Sequence, residues 1–117
     1  MTDKISLFFD AWGMADSDRM QALQDAAHPD LIYTDPNTAE PVVGLGAMDQ
    51  YLAMFIQHMP GSAAKAVSVD THFNYARVTV DFLMKGAATM RGQYFAELDD
   101  DGRISRMVGF IGTGDPA

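Results

Sequence analysis

The chain has 117 residues, 48% of them hydrophobic, which is the size of one compact domain with one core, so we expect a single domain over residues 1–117. Its 16 acidic and 8 basic side chains give a formal net charge of -8, and we therefore expect neither nucleic acid nor a membrane surface as a partner. The absence of cysteine excludes disulfides and thiolate catalysis.

The first predicted element is a helix over residues 3 to 15, where Ile5, Phe8, Phe9 and Trp12 recur at helical spacing and form an aromatic face. Such a face must be covered by another layer of the fold. The same stretch has neither the basic start nor the cleavage region of a signal peptide, so we expect a cytoplasmic protein.

Two more helices are predicted. The second begins at the cap residues DSD, residues 16 to 18, and ends before Pro29. The third carries the strongest helical stripe in the chain and stops at Pro60. Its apolar positions are Met48, Tyr51, Leu52, Phe55 and Ile56.

The strand LIYTDP, residues 31 to 36, lies between the second and third helices and ends in an acid. Side chains alternate along a strand, so Tyr33 and Asp35 are expected on the same face. Two interpretations of Asp35 stay open. It is either a turn former next to Pro36 or a desolvated carboxylate held against an apolar wall.

Beyond Gly61 the hydrophobic period changes from about 3.6 to about 2. This predicts four strands, KAVSVD, YARVTVDFLM, ATMRGQYFAEL and RISRMVGFI, joined by short turns. Helices early and strands late indicate an α+β fold, with helices packed on one face of a curved antiparallel sheet. Alternation predicts that Val80, Phe82, Tyr94 and Met107 face inward.

The order of these elements resembles the NTF2-like superfamily, in particular its SnoaL-like and ketosteroid-isomerase-like branch. The strings that carry the resemblance are FFDAWGMADSDRMQAL, then LIYTDP followed by VVGLGAMDQYLAMF, and FAELDDDGRISRMVGFIG. The resemblance covers nearly the whole chain. It implies a cone-shaped α+β barrel, in which three helices close a strongly curved sheet around a deep apolar pocket. It also implies a homodimer, which we expect to form through the outer sheet face.

The resemblance also implies a site. In ketosteroid isomerases, an Asp followed by proline at the position matching Asp35 is the base that moves a proton between carbon atoms. Two hydrogen-bond donors of that site fall near Phe8, which has no hydroxyl, and on Tyr94. We therefore predict Asp35 and Tyr94 as catalytic residues. Losing one oxyanion donor costs about 10²–10³ in turnover, which argues against unmodified steroid isomerisation.

The predicted ligand pocket is aromatic and apolar, although its tyrosines could instead simply fill the core. Its predicted lining residues are Phe8, Trp12, Tyr33, Tyr51, Phe55, Val80, Phe82, Met107 and Ile111. The three histidines, His28, His58 and His72, lack the spacing of metal ligands, so we expect no metal site.

These features predict an isomerase or polyketide-cyclase type of enzyme that needs no cofactor and acts on a small hydrophobic carbonyl compound. Two alternatives stay open, a non-catalytic protein that binds a small hydrophobic ligand and a dimeric interaction domain. If Asp35 is desolvated, Asp35→Asn is expected to stabilise the fold near neutral pH. If Asp35 is a solvated turn residue, the same change is expected to have little effect.

Overall fold

The computed structural model describes residues 3–116. The helices are α1 (Lys4–Asp10), which continues as a 3₁₀ turn (Ala11–Gly13), α2 (Asp16–Ala26) and α3 (Leu45–His58). The strands are β1 (Ala27–Thr34), β2 (Val42–Val43), β3 (Ser62–His72), β4 (Tyr75–Met84), β5 (Ala87–Leu98) and β6 (Ile104–Ile111). The predicted α+β fold is confirmed.

Two element boundaries differ most from the sequence predictions. The first helix ends at Asp10 and tightens into the 3₁₀ turn, where a side chain at Gly13 would come within 3.2 Å of Ala63 Cβ. Strand β1 begins at Ala27, before the predicted strand, and its register shifts between Ala27 and Ile32. Pro29 lies in this interval and has no N–H to donate to a ladder, so a locally irregular pairing is expected there.

The six strands form one curved sheet in the order β2-β1-β6-β5-β4-β3. Neighbouring strands are antiparallel except β1 and β6, which pair in parallel. Within residues 3–116, β2 and β3 are the two edges, so the sheet is not closed into the barrel that the resemblance implies. The three helices pack on its inner face.

The core lies between the helices and the inner face of the sheet. Alternation along the strands places Val78, Val80, Ala96 and Met107 there with almost no exposure. Phe8 and Phe9 of α1 belong to the same buried core, and both are fully buried. No helix within residues 3–116 has the length and apolar character needed to span a bilayer.

The buried side chain of Arg19 connects α2 to α3. This contact was not predicted from the sequence. Its side chain is only 2% exposed. Its Nε donates to Asp49 Oδ1 on α3 and its Nη2 to Asp16 Oδ1, both at 2.8 Å, while Nη1 donates to the Met14 carbonyl at 3.4 Å. Burial lowers the pKa of Arg19, but the two carboxylates outweigh it and the pKa is raised. Arg19 therefore stays charged and fixes α3 against α2.

Candidate functional site

Asp35 follows the last residue of β1 and is half-buried. Its Oδ1 accepts the backbone N–H of Asn37 at 2.8 Å, and its carbonyl accepts the Thr38 hydroxyl at 3.0 Å. These bonds are typical of an aspartate that stabilises a turn. One oxygen of the carboxylate thus serves the local backbone.

The other oxygen of Asp35 faces two tyrosines. Oδ2 accepts the hydroxyls of Tyr33 and Tyr51, each at 2.6 Å. Tyr33 reaches it because residues two apart share a strand face, whereas Tyr51 approaches from α3. Oδ1 thus makes the bond expected of a turn former, whereas Oδ2 is hydrogen-bonded to two phenols rather than held against an apolar wall.

Tyr94, on β5, extends this network. Its hydroxyl lies 3.3 Å from the Tyr33 hydroxyl. Because the Tyr33 hydroxyl donates its hydrogen bond to Asp35, the Tyr94 hydroxyl is the donor between the two phenols. Tyr94 is 5% exposed and lies opposite Gly109 of β6 in the sheet register. The network therefore runs from Tyr94 through Tyr33 to Asp35.

Gly109 leaves the space that the Tyr94 ring occupies. A Cβ at this position would lie 2.5 Å from Tyr94 Cε2 and 2.9 Å from its Cζ. We expect Gly109→Ala to lower the free energy of unfolding by about 1–3 kcal/mol through overpacking, and to move the Tyr94 ring. Urea unfolding and the NMR signals of the ring measure both effects.

The matched control is Gly46→Ala in α3, where a Cβ would meet nothing within 4 Å. That change is expected to be neutral or slightly stabilising, because alanine is the better helix former. Wild-type stability of Gly109→Ala would contradict the close packing of Tyr94 on Gly109.

The three phenols of the network are held neutral. Burial raises the pKa of Tyr33 well above its ordinary value, and the neighbouring Tyr94 and Asp35 raise it further. Burial and the hydrogen bond to Asp35 likewise raise the pKa of Tyr51. For Tyr94, burial is the main cause of a pKa raised to about 12. All three are hydrogen-bond donors at neutral pH.

These shifts predict loss of stability in alkali. Tyrosine in an unfolded chain has a pKa of about 10, so between that value and the folded pKa the native state binds more protons than the unfolded state. Stability is then complete below pH about 10 and falls as pH rises. For Tyr94 alone, with its pKa of about 12, the loss is about 2 kcal/mol by pH about 12.

Urea unfolding at several pH values from about 8 to about 12 measures this slope. Tyr94→Phe is the matched variant, because it removes the titrating hydroxyl and keeps the ring. We expect it to have a shallower slope than the wild type above pH about 10. Equal slopes for the two proteins would contradict the raised pKa of Tyr94.

A small chamber opens beside Asp35. Its volume is about 40 Å³, which is enough for roughly three water molecules. It is therefore much smaller than the deep apolar pocket that the resemblance implies. Aromatic side chains fill the interior, since the Trp12 ring lies 5.1 Å from Phe55 and 5.7 Å from Phe82 between ring centroids. Trp12 Nε1 is buried and has no hydrogen-bond partner among residues 3–116.

Most of the predicted site residues meet at this chamber. Those that line it are Trp12, Asp35, Tyr51, Phe55, Phe82, Tyr94 and Ile111. Tyr33 does not line the chamber, but it is hydrogen-bonded to two residues that do, Asp35 and Tyr94. Phe8, Val80 and Met107 are fully buried in the core and do not line it.

Four further lining residues were not predicted: Pro36, Asn37, Met90 and Phe110. The adjacent residues Phe110 and Ile111 both reach the rim because β6 ends there, so alternation no longer separates two faces. The turn signal at Pro36 and Asn37 could have indicated them. Among residues 3–116, no group of three or more His, Asp or Glu side chains is placed to hold a metal ion.

The family model for the SnoaL-like domain matches residues 5–107 of the chain. The protein belongs to the SnoaL-like domain family. No curated protein sequence matches this SnoaL-like chain. Its agreement with the family extends from α1 to the middle of β6, and thus over every residue of the Asp35 network.

Solved structures share the fold of this SnoaL-like domain. A proposed isomerase of the SnoaL-like family from Agrobacterium tumefaciens strain C58 is 21% identical, with a TM-score of 0.83 over 94% of this chain and 95% of that one. A proposed polyketide cyclase from Sinorhizobium meliloti is 18% identical, with a TM-score of 0.70 over 93% and 94%.

A third structure contains a small ligand. It is a hypothetical protein with a ketosteroid isomerase-like fold from Catenulispora acidiphila, in complex with trimethylamine. It is 12% identical, with a TM-score of 0.74 over 93% of this chain and 85% of that one. At these identities the likeness shows the fold.

Proposed function

We propose that this SnoaL-like domain catalyses a cofactor-independent proton transfer on a small carbonyl compound, with Asp35 as the base and Tyr94 as the donor to the carbonyl oxygen. The observation that supports it is that Asp35 and Tyr94 both line one chamber. The reaction would be of the isomerase or cyclase type, as is proposed for two of the structures that share the fold.

The free position on Asp35 is at Oδ1. A carboxylate has about four lone-pair sites, and three are used by Tyr33, Tyr51 and the Asn37 N–H. The fourth can take a proton from the carbon next to the carbonyl. The C–H bond breaks, its electron pair forms the enolate, and the proton bound at Oδ1 returns to the same or another carbon.

Tyr94 can stabilise the enolate oxygen. Its bond to Tyr33 is long at 3.3 Å, so a carbonyl oxygen in the chamber can compete for the Tyr94 proton. As the enolate forms, negative charge grows on this oxygen and the hydrogen bond becomes stronger. Phe8 supplies no second donor, so Tyr94 would be the main side-chain donor to the enolate oxygen. We therefore expect a modest rate of proton transfer.

A second candidate function is binding without chemistry, and the size of the chamber favours it. At about 40 Å³ it holds a ligand portion of a few heavy atoms. A related fold is seen with trimethylamine, a molecule of four heavy atoms. In this second function, the rings around Trp12 would hold the apolar part of a small ligand, and Asp35 would bind its polar end.

The expected homodimer and cytoplasmic location stay predictions. The outer sheet face, which we propose as the dimer surface, exposes Phe95 by 37% and stacks it on Tyr75 with ring centroids 5.8 Å apart. Arg91 and Asp81 form an ion pair on the same face at 2.7 Å. An interaction domain would use this surface, whereas an enzyme would use the chamber.

Proton transfer can be tested without knowing the natural substrate. The protein is incubated in D₂O with small ketones of increasing size, from acetone to cyclohexanone, and deuterium beside the carbonyl is followed by NMR. We expect exchange above the buffer rate for the ketones that fit. Ketone binding without exchange would overturn the catalytic proposal and leave the binding one.

A further inference from the structure

We propose that the chamber binds a small organic cation, a tertiary or quaternary ammonium group of about four or five heavy atoms, between Asp35 and the surrounding aromatic rings. The inference rests on the proposed function in using the same chamber as a ligand site, and it names a ligand class for that chamber. It does not require that the chamber catalyse a reaction.

The first support is charge. Asp35 is the one charged side chain that lines the chamber in the described part of the chain. No ion pair to it is formed by any residue from 3 to 116. Its hydrogen bonds come from neutral phenols and a backbone amide, which leave its negative charge uncompensated. With a net charge of -8, the whole chain also attracts cations.

The second support is the arrangement of the walls. The ring planes of Phe55 and Tyr51 make angles of 74° and 84° with that of Trp12, and the plane of Phe82 makes an angle of 59°. With their centroids 5.1 to 6.3 Å from that of Trp12, these three rings contact Trp12 at steep angles, and all four residues present an aromatic wall to the chamber. A cation within about 6 Å of an aromatic face is attracted by its quadrupole, most strongly by tryptophan.

The third support is the direction of the hydrogen bonds. Tyr33 and Tyr51 donate to Asp35, and Tyr94 donates to Tyr33. The groups left to meet a ligand are acceptors, namely Asp35 Oδ1 and the Tyr94 oxygen. A protonated tertiary amine has one N–H to donate to them. It would enter without rearranging the network, whereas a carbonyl needs the Tyr94 proton.

Size limits the cation. A volume of about 40 Å³, roughly three water-sized spheres, is smaller than a trimethylammonium group of four heavy atoms, so part of the group would lie at the open rim and a larger alkylammonium would fit less well. A longer substituent would have to leave through the rim at Met90 and Ile111, which are 42% and 57% exposed.

The experiment is an NMR titration that follows the indole N–H of Trp12, the single tryptophan of the chain. The probes are trimethylammonium chloride and its neutral isostere tert-butanol, at equal ionic strength. We expect a saturable shift with trimethylammonium and at least about tenfold weaker binding of tert-butanol. Tetraethylammonium should bind more weakly than tetramethylammonium.

Three variants assign the effect. Asp35→Asn should weaken trimethylammonium binding at least about tenfold, whereas Asp30→Asn, which removes a carboxylate that is 91% exposed on β1, should not change it. If Asp35→Asn does not fold, Phe55→Leu serves instead. It keeps the carboxylate, removes one aromatic wall, and should weaken trimethylammonium binding several-fold more than tert-butanol binding.

Equal binding of trimethylammonium and tert-butanol would overturn the inference, as would the absence of trimethylammonium binding at about 100 mM. Deuterium exchange into ketones without ammonium binding would overturn this inference alone. Ammonium binding without exchange would support it and count against the proposed catalysis.

Discussion

Replacing Asp35 by Asn is expected to slow deuterium exchange into a bound ketone by about 10²–10⁴-fold, the usual contribution of a positioned general base. An asparagine amide in that position has no proton-accepting lone pair of comparable strength. NMR exchange rates at saturating ketone measure the effect. Asp30→Asn makes the same charge change on an exposed part of β1 and should retain the wild-type rate.

The stability of Asp35→Asn separates loss of the base from loss of the fold. The amide would direct an N–H₂ group either at the tyrosine hydroxyls or at the Asn37 N–H, where the carboxylate now accepts. We expect the free energy of unfolding to fall by about 1–3 kcal/mol. The sequence predicts that Asp35→Asn stabilises the fold if Asp35 is desolvated. The three hydrogen bonds to the carboxylate predict the opposite, a loss of stability.

A rise in the melting temperature of Asp35→Asn would contradict the three hydrogen bonds to the carboxylate. An exchange rate unchanged in the folded variant would overturn the role of Asp35 as base. An exchange rate that falls only in proportion to the unfolded fraction of the variant would also overturn the role of Asp35 as base.

The second large effect is expected at Trp12. Its side chain is 2% exposed and its ring contacts those of Phe9, Tyr33 and Phe55. Trp12→Ala should therefore lower the free energy of unfolding by about 3–5 kcal/mol, the cost of the lost burial and the remaining cavity. That is a large part of the 5–15 kcal/mol that is typical of a domain.

Two controls define the cause. Trp12→Phe should cost less than Trp12→Ala, because most of the ring is kept and Trp12 Nε1 has no partner to lose among the described residues. Phe73→Ala removes a ring that is 96% exposed and should change stability by less than about 0.5 kcal/mol. Similar losses for Trp12→Ala and Phe73→Ala in urea unfolding would contradict the central packing of Trp12.

Some of the site could be predicted because it follows from local geometry. Asp35 lies one residue beyond β1 and two residues after Tyr33, so their side chains reach the same face, and the apolar stripe of α3 turns Tyr51 toward the core. Whether Tyr51 would reach Asp35 depends on how α3 docks on the sheet. The pattern of a single helix does not contain that information.

Other features depend on residues far apart in the chain. Arginine side chains are mostly exposed, so a helical pattern does not predict that Arg19 is buried. Its burial depends on Asp49, thirty residues later in the chain, which accepts a hydrogen bond from its guanidinium. The volume of the chamber depends on how several rings pack at once. Strand periodicity identifies β1 and β6 but does not say that they pair in parallel.

That parallel pairing determines when the site can exist during synthesis. Tyr33 lies opposite Met107 and Thr34 opposite Val108, while Tyr94 depends on the space left by Gly109. Strand β1, which ends just before Asp35, is thus held by β6, the last strand in chain order among the described residues. Contacts this distant in sequence slow folding, because a long loop must close before they form. On the ribosome, the complete Asp35 network therefore cannot assemble until β5 and β6 have been translated.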